Sequence, residues 1–224
     1  MVGFHGYIPV VGRPVAYGIG FLVLVLVAFT GGVADSVVTV AHEGGHMITA
    51  LMTGRGVVAF ELIGKEDRTD GGTRLTPITG VGASDIIIRF AGYATPPLAG
   101  LVGAYSVAHG NSWGVLWAAI VLLAAVLLVR GNGLARTITG LVAVFILWAA
   151  VAGAAALQAA VAVGVVWLLL IGGLGQVLVD NVGASDAYDL SGWTWIPRAF
   201  WFAGWLVVAA LSLWFGARVM LGYR

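Results

Sequence analysis

Apolar runs long enough to cross a lipid bilayer constrain this chain more than any other feature. A helix needs roughly 20 apolar residues to span the hydrocarbon layer. The sequence offers seven such runs, at 15–33, 36–53, 84–108, 113–129, 137–153, 155–179 and 198–217. The stretch 137–179 holds two of them, with the turn placed near Gly153. Six spans result if the second run is re-entrant or continues the first. Charged residues make up only 9% of the chain and hydrophobic ones 60%, where a soluble domain carries about 25% charged residues. Mean hydropathy is +1.01. Too little polar surface remains to cover a globule in water. The fold class is therefore an all-α polytopic membrane protein of six or seven transmembrane helices, with residues 1–224 forming one membrane domain. A complement of 34 glycines suits helices whose backbones approach closely. The formal charge of +1 gives no sign of a nucleic-acid partner. The absence of cysteine excludes disulfides, thiolate metal ligands and cysteine catalysis together. Residues 1–14 hold one arginine and no compact apolar core, so no cleavable leader is evident.

Two polar segments interrupt the runs. Residues 55–83 carry two β-branched stretches around Asp70-Gly71-Gly72, which read as a β-hairpin turning there. Residues 180–197 join two helices and hold Asp180, Asp186 and Asp189. The pentapeptide VGASD occurs in both segments, at 81–85 and 182–186. Its plain reading is a Ser or Asp helix cap, and for Ser84-Asp85, which precede a clean apolar helix, that reading is kept. Basic residues gather in the hairpin segment (Arg55, Lys65, Arg68, Arg74) and in RGNGLAR (Arg130, Arg136). Seven spans put both on one side, which the positive-inside rule makes cytoplasmic. Arg13 agrees with this orientation; Arg218 and Arg224 oppose it.

Within the second run stands His42-Glu43-Gly44-Gly45-His46, an H-E-x-x-H motif. Side chains four apart share one face of a helix, so both imidazoles can reach one ion. Neutral imidazole suits zinc. Glu43 projects beside that face, placed to take a proton from zinc-bound water and pass it to a leaving amine. The competing reading is that these are helix-packing polar groups. Against it, an uncompensated ionisable group at the centre of a span costs about 2.5 kcal/mol or more. Moreover, two of the chain's 4 histidines are spaced for one metal. Gly44 and Gly45 remove bulk beside the ion, so another backbone can come close. A catalytic zinc wants a third protein ligand and an open position. His5 and His109 lie in a terminus and in an uncharged turn on the far side, which leaves a carboxylate. Asp180, Asp186 and Asp189 border a helix on the same face as the motif, and spacing alone does not choose among them.

At this point the residues resemble a known family. AHEGGHMITALMTG at 41–54, DGGTR at 70–74, RFAGYATPPLAG at 89–100 and SDAYDLSGWTWIPRAFW at 185–201 look like the site-2 proteases. These are intramembrane zinc metalloproteases, and the likeness is to their small bacterial branch without a PDZ domain, over most of residues 35–205. The resemblance implies that His42 and His46 hold zinc and that Glu43 is catalytic. It also implies an aspartate ligand on a later membrane helix, often within an Asn-Pro…Asp-Gly signature. Here Asn181 is not followed by proline, and Asp186 is followed by Ala187. The small branch shows Ser-Asp-Ala at this place, which matches Ser185-Asp186-Ala187 and selects Asp186. Asn181, Asp180 and Asp189 then become residues that support a ligand or orient substrate.

The expected function is hydrolysis of peptide bonds within or near transmembrane segments of membrane-protein substrates, in a bacterial plasma membrane, with the active site toward the cytoplasm. A transmembrane helix must unwind before attack. An edge of the 57–79 hairpin offers strand pairing to the unwound segment, with a plain solvated loop as the equal alternative. Pro96-Pro97 reads as a structural kink. Trp193, Trp195, Trp201 and Trp205 read as an interfacial belt, Asp35 as the cap of the motif helix, and Gln158 and Gln176 as interhelical hydrogen-bonding residues. Arg89 either pairs with an acidic group or snorkels to the interface, a role at the oxyanion being the lesser alternative. The competing function is a non-proteolytic metal-binding membrane protein: a zinc sensor, a transporter or an inactive scaffold.

Overall fold

A backbone surrounded by hydrocarbon must satisfy its N–H and C=O groups within its own segment, so the apolar runs fold as helices. The computed structural model describes residues 12–29, 32–64, 69–75, 81–128, 133–180 and 185–222. Their order is α1 (Arg13–Phe29), α2 (Gly32–Met52), β1 (Val57–Gly64), β2 (Thr69–Leu75), α3 (Ala83–Ala108), α4 (Ser112–Leu128), α5 (Gly133–Ala152), α6 (Ala155–Asp180), α7 (Ser185–Thr194) and α8 (Arg198–Leu221). Among the described residues, α3, α6 and α8 are each long and apolar enough to cross a membrane. α1 and the Ala34–Met52 part of α2 meet that requirement together, bent by 94°. α4 and the Arg136–Ala152 part of α5 are shorter apolar helices. Length and apolarity thus support three spans, or four with the bent pair, against the seven or six runs of the sequence. A helix of 17 residues such as α4 rises only about 26 Å, short of a ~30 Å hydrocarbon layer.

α3 is the central helix, packing against α2, α6 and α8. Two glycines let neighbouring backbones close on it. A Cβ on Gly45 would come within 2.9 Å of the Ala91 carbonyl oxygen, and one on Gly173 within 2.9 Å of Pro97 Cδ. α3 runs unbroken through Pro96 and Pro97, both buried. The two residues that lack N–H donors therefore sit against a glycine of α6.

β1 and β2 pair antiparallel, with Glu61 opposite Gly72, Leu62 opposite Gly71 and Ile63 opposite Asp70. Asp70-Gly71-Gly72 is thus part of a strand and not the turn expected there. The eight-residue run of β1 leaves backbone donors and acceptors along its whole length, and pairing them draws the Gly-Gly segment into the ladder. β2 lies along α2 and β1 along α5. The base of this pair is closed by Arg55 Nη1, which donates to Asp85 Oδ1, while Asp85 Oδ2 accepts the Gly82 N–H at 2.9 Å. The N-cap of α3 is thus Gly82, and Asp85, expected as a cap, lies in the first turn and bonds back to it.

Three other expectations meet the structure differently. α2 begins at Gly32, which places Asp35 in its first turn and not before it. An acidic side chain there still complements the helix dipole. Gln158 does bond between helices: its amide donates to Ala150 O at 2.8 Å and to Gly153 O at 3.1 Å, closing the α5–α6 turn. Trp205 leaves the expected interfacial belt. It is 1% exposed, donates Nε1–H to Phe90 O at 3.0 Å and packs on Phe90 and Tyr93. Its indole found a buried acceptor, so it had no need of the headgroup layer; Trp195, 92% exposed, keeps a surface position.

Trp205→Ala should therefore cost about 3 kcal/mol or more, the usual penalty for emptying a buried aromatic site. Thermal unfolding in detergent should show a clear fall in Tm, whereas Phe200→Ala at an exposed position of the same helix should leave it nearly unchanged.

Candidate metal centre

α2 brings His42, Glu43 and His46 to its buried side, and all three are almost fully enclosed. One helical turn separates the imidazoles, and their Nε2 atoms approach to 3.0 Å. The two rings meet edge to face. α7 supplies the third group from far along the chain: Asp186 Oδ2 lies 3.2 Å from His42 Nε2 and 3.1 Å from His46 Nε2. His42, His46 and Asp186 form the cluster of buried ligand-type side chains that can hold a metal ion among the described residues.

The local hydrogen bonds leave this triangle suited to a metal ion. His46 Nδ1 donates to the Ile88 carbonyl at 2.7 Å. In the neutral ring that places the proton on Nδ1 and leaves Nε2 as a bare lone pair aimed at a carboxylate oxygen. Asp186 Oδ2, though this close to both rings, accepts no hydrogen bond of good geometry. With the His42 ring in the same tautomer, three lone pairs face one point, an arrangement that a bound metal ion would satisfy. Edges of 3.0, 3.1 and 3.2 Å approach the roughly 3.3 Å ligand–ligand spacing of a tetrahedral site with bonds of about 2.0–2.1 Å. The donor set, two imidazoles and a carboxylate, suits zinc.

α3 builds the wall of the site. A Cβ on Gly92 would lie 2.5 Å from His46 Nε2 and 2.6 Å from His42 Nε2, so only glycine fits where the helix passes the ligand nitrogens. One residue on, the Tyr93 ring stands edge to face against His42, with centroids 4.4 Å apart. Its hydroxyl donates to Asp180 Oδ2 at 2.9 Å. Arg89, three residues before Gly92, forks between two aspartates: Nη1 donates to Asp186 Oδ1 at 3.1 Å and Nη2 meets Asp189 Oδ2 at 3.1 Å. Its guanidinium also lies over Trp193, 5.9 Å from the ring centre. The two oxygens of Asp186 thus have separate partners, one held by Arg89 and the other turned to the histidines.

The three aspartates that spacing left open are now distinguished. Asp186 joins the histidines, Asp180 holds Tyr93, and Asp189 pairs with Arg89 at a third exposed. Asn181 lies outside the described residues. Arg89 takes the acid-pairing option; both terminal nitrogens are engaged by carboxylates, which displaces the oxyanion reading. His109 bonds the Tyr105 carbonyl at 2.7 Å, within its own turn. Sequence reasoning did not single out Tyr93, Gly92 or Thr73, whose hydroxyl donates to Glu43 Oε2. Arg89 inside an apolar helix was the available signal for the α3 face, since Gly92 and Tyr93 follow it by about one turn.

Arg89→Met should loosen the Asp186 carboxylate, and where the cluster takes up zinc it should weaken that uptake about 10–100-fold, the usual effect of removing a partner of a metal ligand. Competition titration against a chelator measures it, and Arg136→Met, at an exposed arginine of α5, should leave affinity unchanged. A family model described as Peptidase M50B-like matches residues 15–216. No curated protein and no solved structure matches the chain.

Proposed function

Because the chain belongs to the Peptidase M50B-like family, a family of membrane metallopeptidases, we propose that it is a zinc-dependent endopeptidase acting inside the bilayer. Its substrates are transmembrane proteins or peptides, cut within or near their membrane segments. The observation that carries this reading is the meeting of His42 Nε2, His46 Nε2 and Asp186 Oδ2 at one buried point, with the carboxylate of Glu43 next in sequence and outside that triangle. A pure binding site has no use for the extra glutamate.

In this reading His42, His46 and Asp186 hold zinc, which supplies Lewis acidity to polarise a peptide carbonyl and acidify water. Glu43 is the general base, taking a proton from the attacking water on a carboxylate oxygen. It then delivers that proton to the leaving amide nitrogen, acting as general acid. Tyr93 holds the His42 ring by contact, and Ile88 holds the tautomer of His46 by accepting its Nδ1–H. Asp180 and Asp189 support the site through Tyr93 and Arg89, and Asn181 keeps the ligand-supporting or substrate-orienting role that the resemblance implies.

A substrate helix must first lose its own hydrogen bonds. The β1–β2 pair offers strand edges to the unwound segment, and β2 lies along the helix that carries Glu43. α4 and α5 complete six or seven membrane crossings, the count depending on whether α1 and α2 cross as one bent span. Arg55, Arg74 and Arg136 on the hairpin side favour the cytoplasmic face of a bacterial plasma membrane for the active site. Residues 1–224 act as one membrane-embedded domain.

Glu43→Gln tests the assignment. General acid–base catalysis contributes about 10²–10⁴-fold, so cleavage of a fluorophore-labelled single-span reporter should fall by at least that lower factor while purified protein keeps one zinc per chain by mass spectrometry. Undiminished cleavage, or metal-dependent behaviour without any Glu43 requirement, would favour the non-proteolytic metal-binding reading.

A further inference from the structure

The hydrogen-bond partner of Glu43 comes from neither α2 nor α3 but from the strand pair. Thr73 lies on β2, opposite Phe60 of β1, and its hydroxyl donates to Glu43 Oε2. The same hydroxyl lies 3.5 Å from the Glu43 carbonyl oxygen. Glu43 itself is only 4% exposed. A carboxylate enclosed to this degree needs donors, because leaving it unpartnered carries the full desolvation penalty. The helix cannot provide them, since its own N–H groups are engaged in the ladder. β2 delivers the missing donor across the gap between hairpin and helix. Arg55, just before β1, pairs with Asp85 of α3, so the strand pair that carries Thr73 is tied to the helix that walls the site.

We propose that Thr73 is the positioning residue for Glu43, holding its carboxylate in the orientation that proton transfer requires and tying that orientation to the placement of the hairpin. The proposal rests on the assignment of Glu43 as general base and adds a specific task for the hairpin. A strand that offers an edge to substrate also carries the donor that sets the base. Substrate docking and readiness of the base are then coupled through one hydroxyl, with no direct contact between Thr73 and the scissile bond.

Valine and serine at position 73 separate this role from support of the strand. Thr73→Val keeps the β-branched shape and strand propensity but removes the hydroxyl, whereas Thr73→Ser keeps the hydroxyl and gives up the branch. With a fluorophore–quencher single-span peptide of Leu/Ala core interrupted by Gly, Thr73→Val should lower kcat about 10–100-fold, a fraction of the full acid–base contribution. KM and zinc stoichiometry should stay unchanged, and Thr73→Ser should restore most of kcat. A strand-supporting role predicts the opposite order, with valine near wild type and serine impaired; that result overturns the proposal. A second readout needs no activity. In metal-free protein, Thr73→Val should lower Tm in the wild-type background but not in a Glu43→Leu background, where the carboxylate is gone. Equal Tm losses in both backgrounds overturn the contact. If Glu43→Gln itself leaves cleavage intact, the assignment of the base has failed, and the valine–serine order then has no catalytic meaning even where the Tm coupling holds.

Discussion

Two imidazole nitrogens and one carboxylate oxygen brought within 3.2 Å of one another, inside a bundle of apolar helices, set the terms for the rest of this molecule. Each of these groups loses its hydration on burial and needs a partner in its place. Two of the other polar atoms of these side chains have partners of their own, while His42 Nδ1 has no hydrogen-bond partner among the described residues. Ile88 takes the proton-bearing nitrogen of His46, and Arg89 takes the second oxygen of Asp186. The atoms left facing inward are of the kinds that ligate a metal ion. α3 passes directly over it, and Gly92 marks the point of closest approach.

Charge inside the bundle follows one rule throughout. Arg89 bridges Asp186 and Asp189, Arg55 meets Asp85, Tyr93 donates to Asp180, and Thr73 donates to Glu43. Each acidic group near the site has a donor from a different element, so the polar contacts also fix how the elements sit on one another. α3 contributes most of them, and it is also the helix that α2, α6 and α8 share. The candidate metal centre and the packing centre therefore coincide. This is economical in a membrane, where lipid is as apolar as the side chains and close packing with polar contacts must hold helices together.

The two copies of VGASD show the reach of local reasoning. In the first, Asp85 does what a helix-start signal suggests, accepting the Gly82 N–H from the first turn of α3. In the second, Asp186 also falls in the first turn of its helix, yet its oxygens face Arg89 and the histidines. The same letters take different roles because one helix start faces the hairpin base and the other faces α2. Trp205 teaches a similar lesson: tryptophans at the end of an apolar run suggest an interface, and one of them instead found a buried carbonyl. The Asp-Gly-Gly segment suggested a turn, but the need to pair the long β1 run outweighed the local signal.

From its letters alone the chain fixes that it is helical and lipid-embedded, because the scarcity of charge leaves no other solvent for its surface. The same letters place two imidazoles on one helical face, because a spacing of four residues is a property of the α-helix itself. The choice among Asp180, Asp186 and Asp189, the fork of Arg89, the bare wall at Gly92 and the reach of Thr73 to Glu43 belong to the tertiary structure. Each joins elements separated by tens of residues, and no local periodicity carries the distance between two helices.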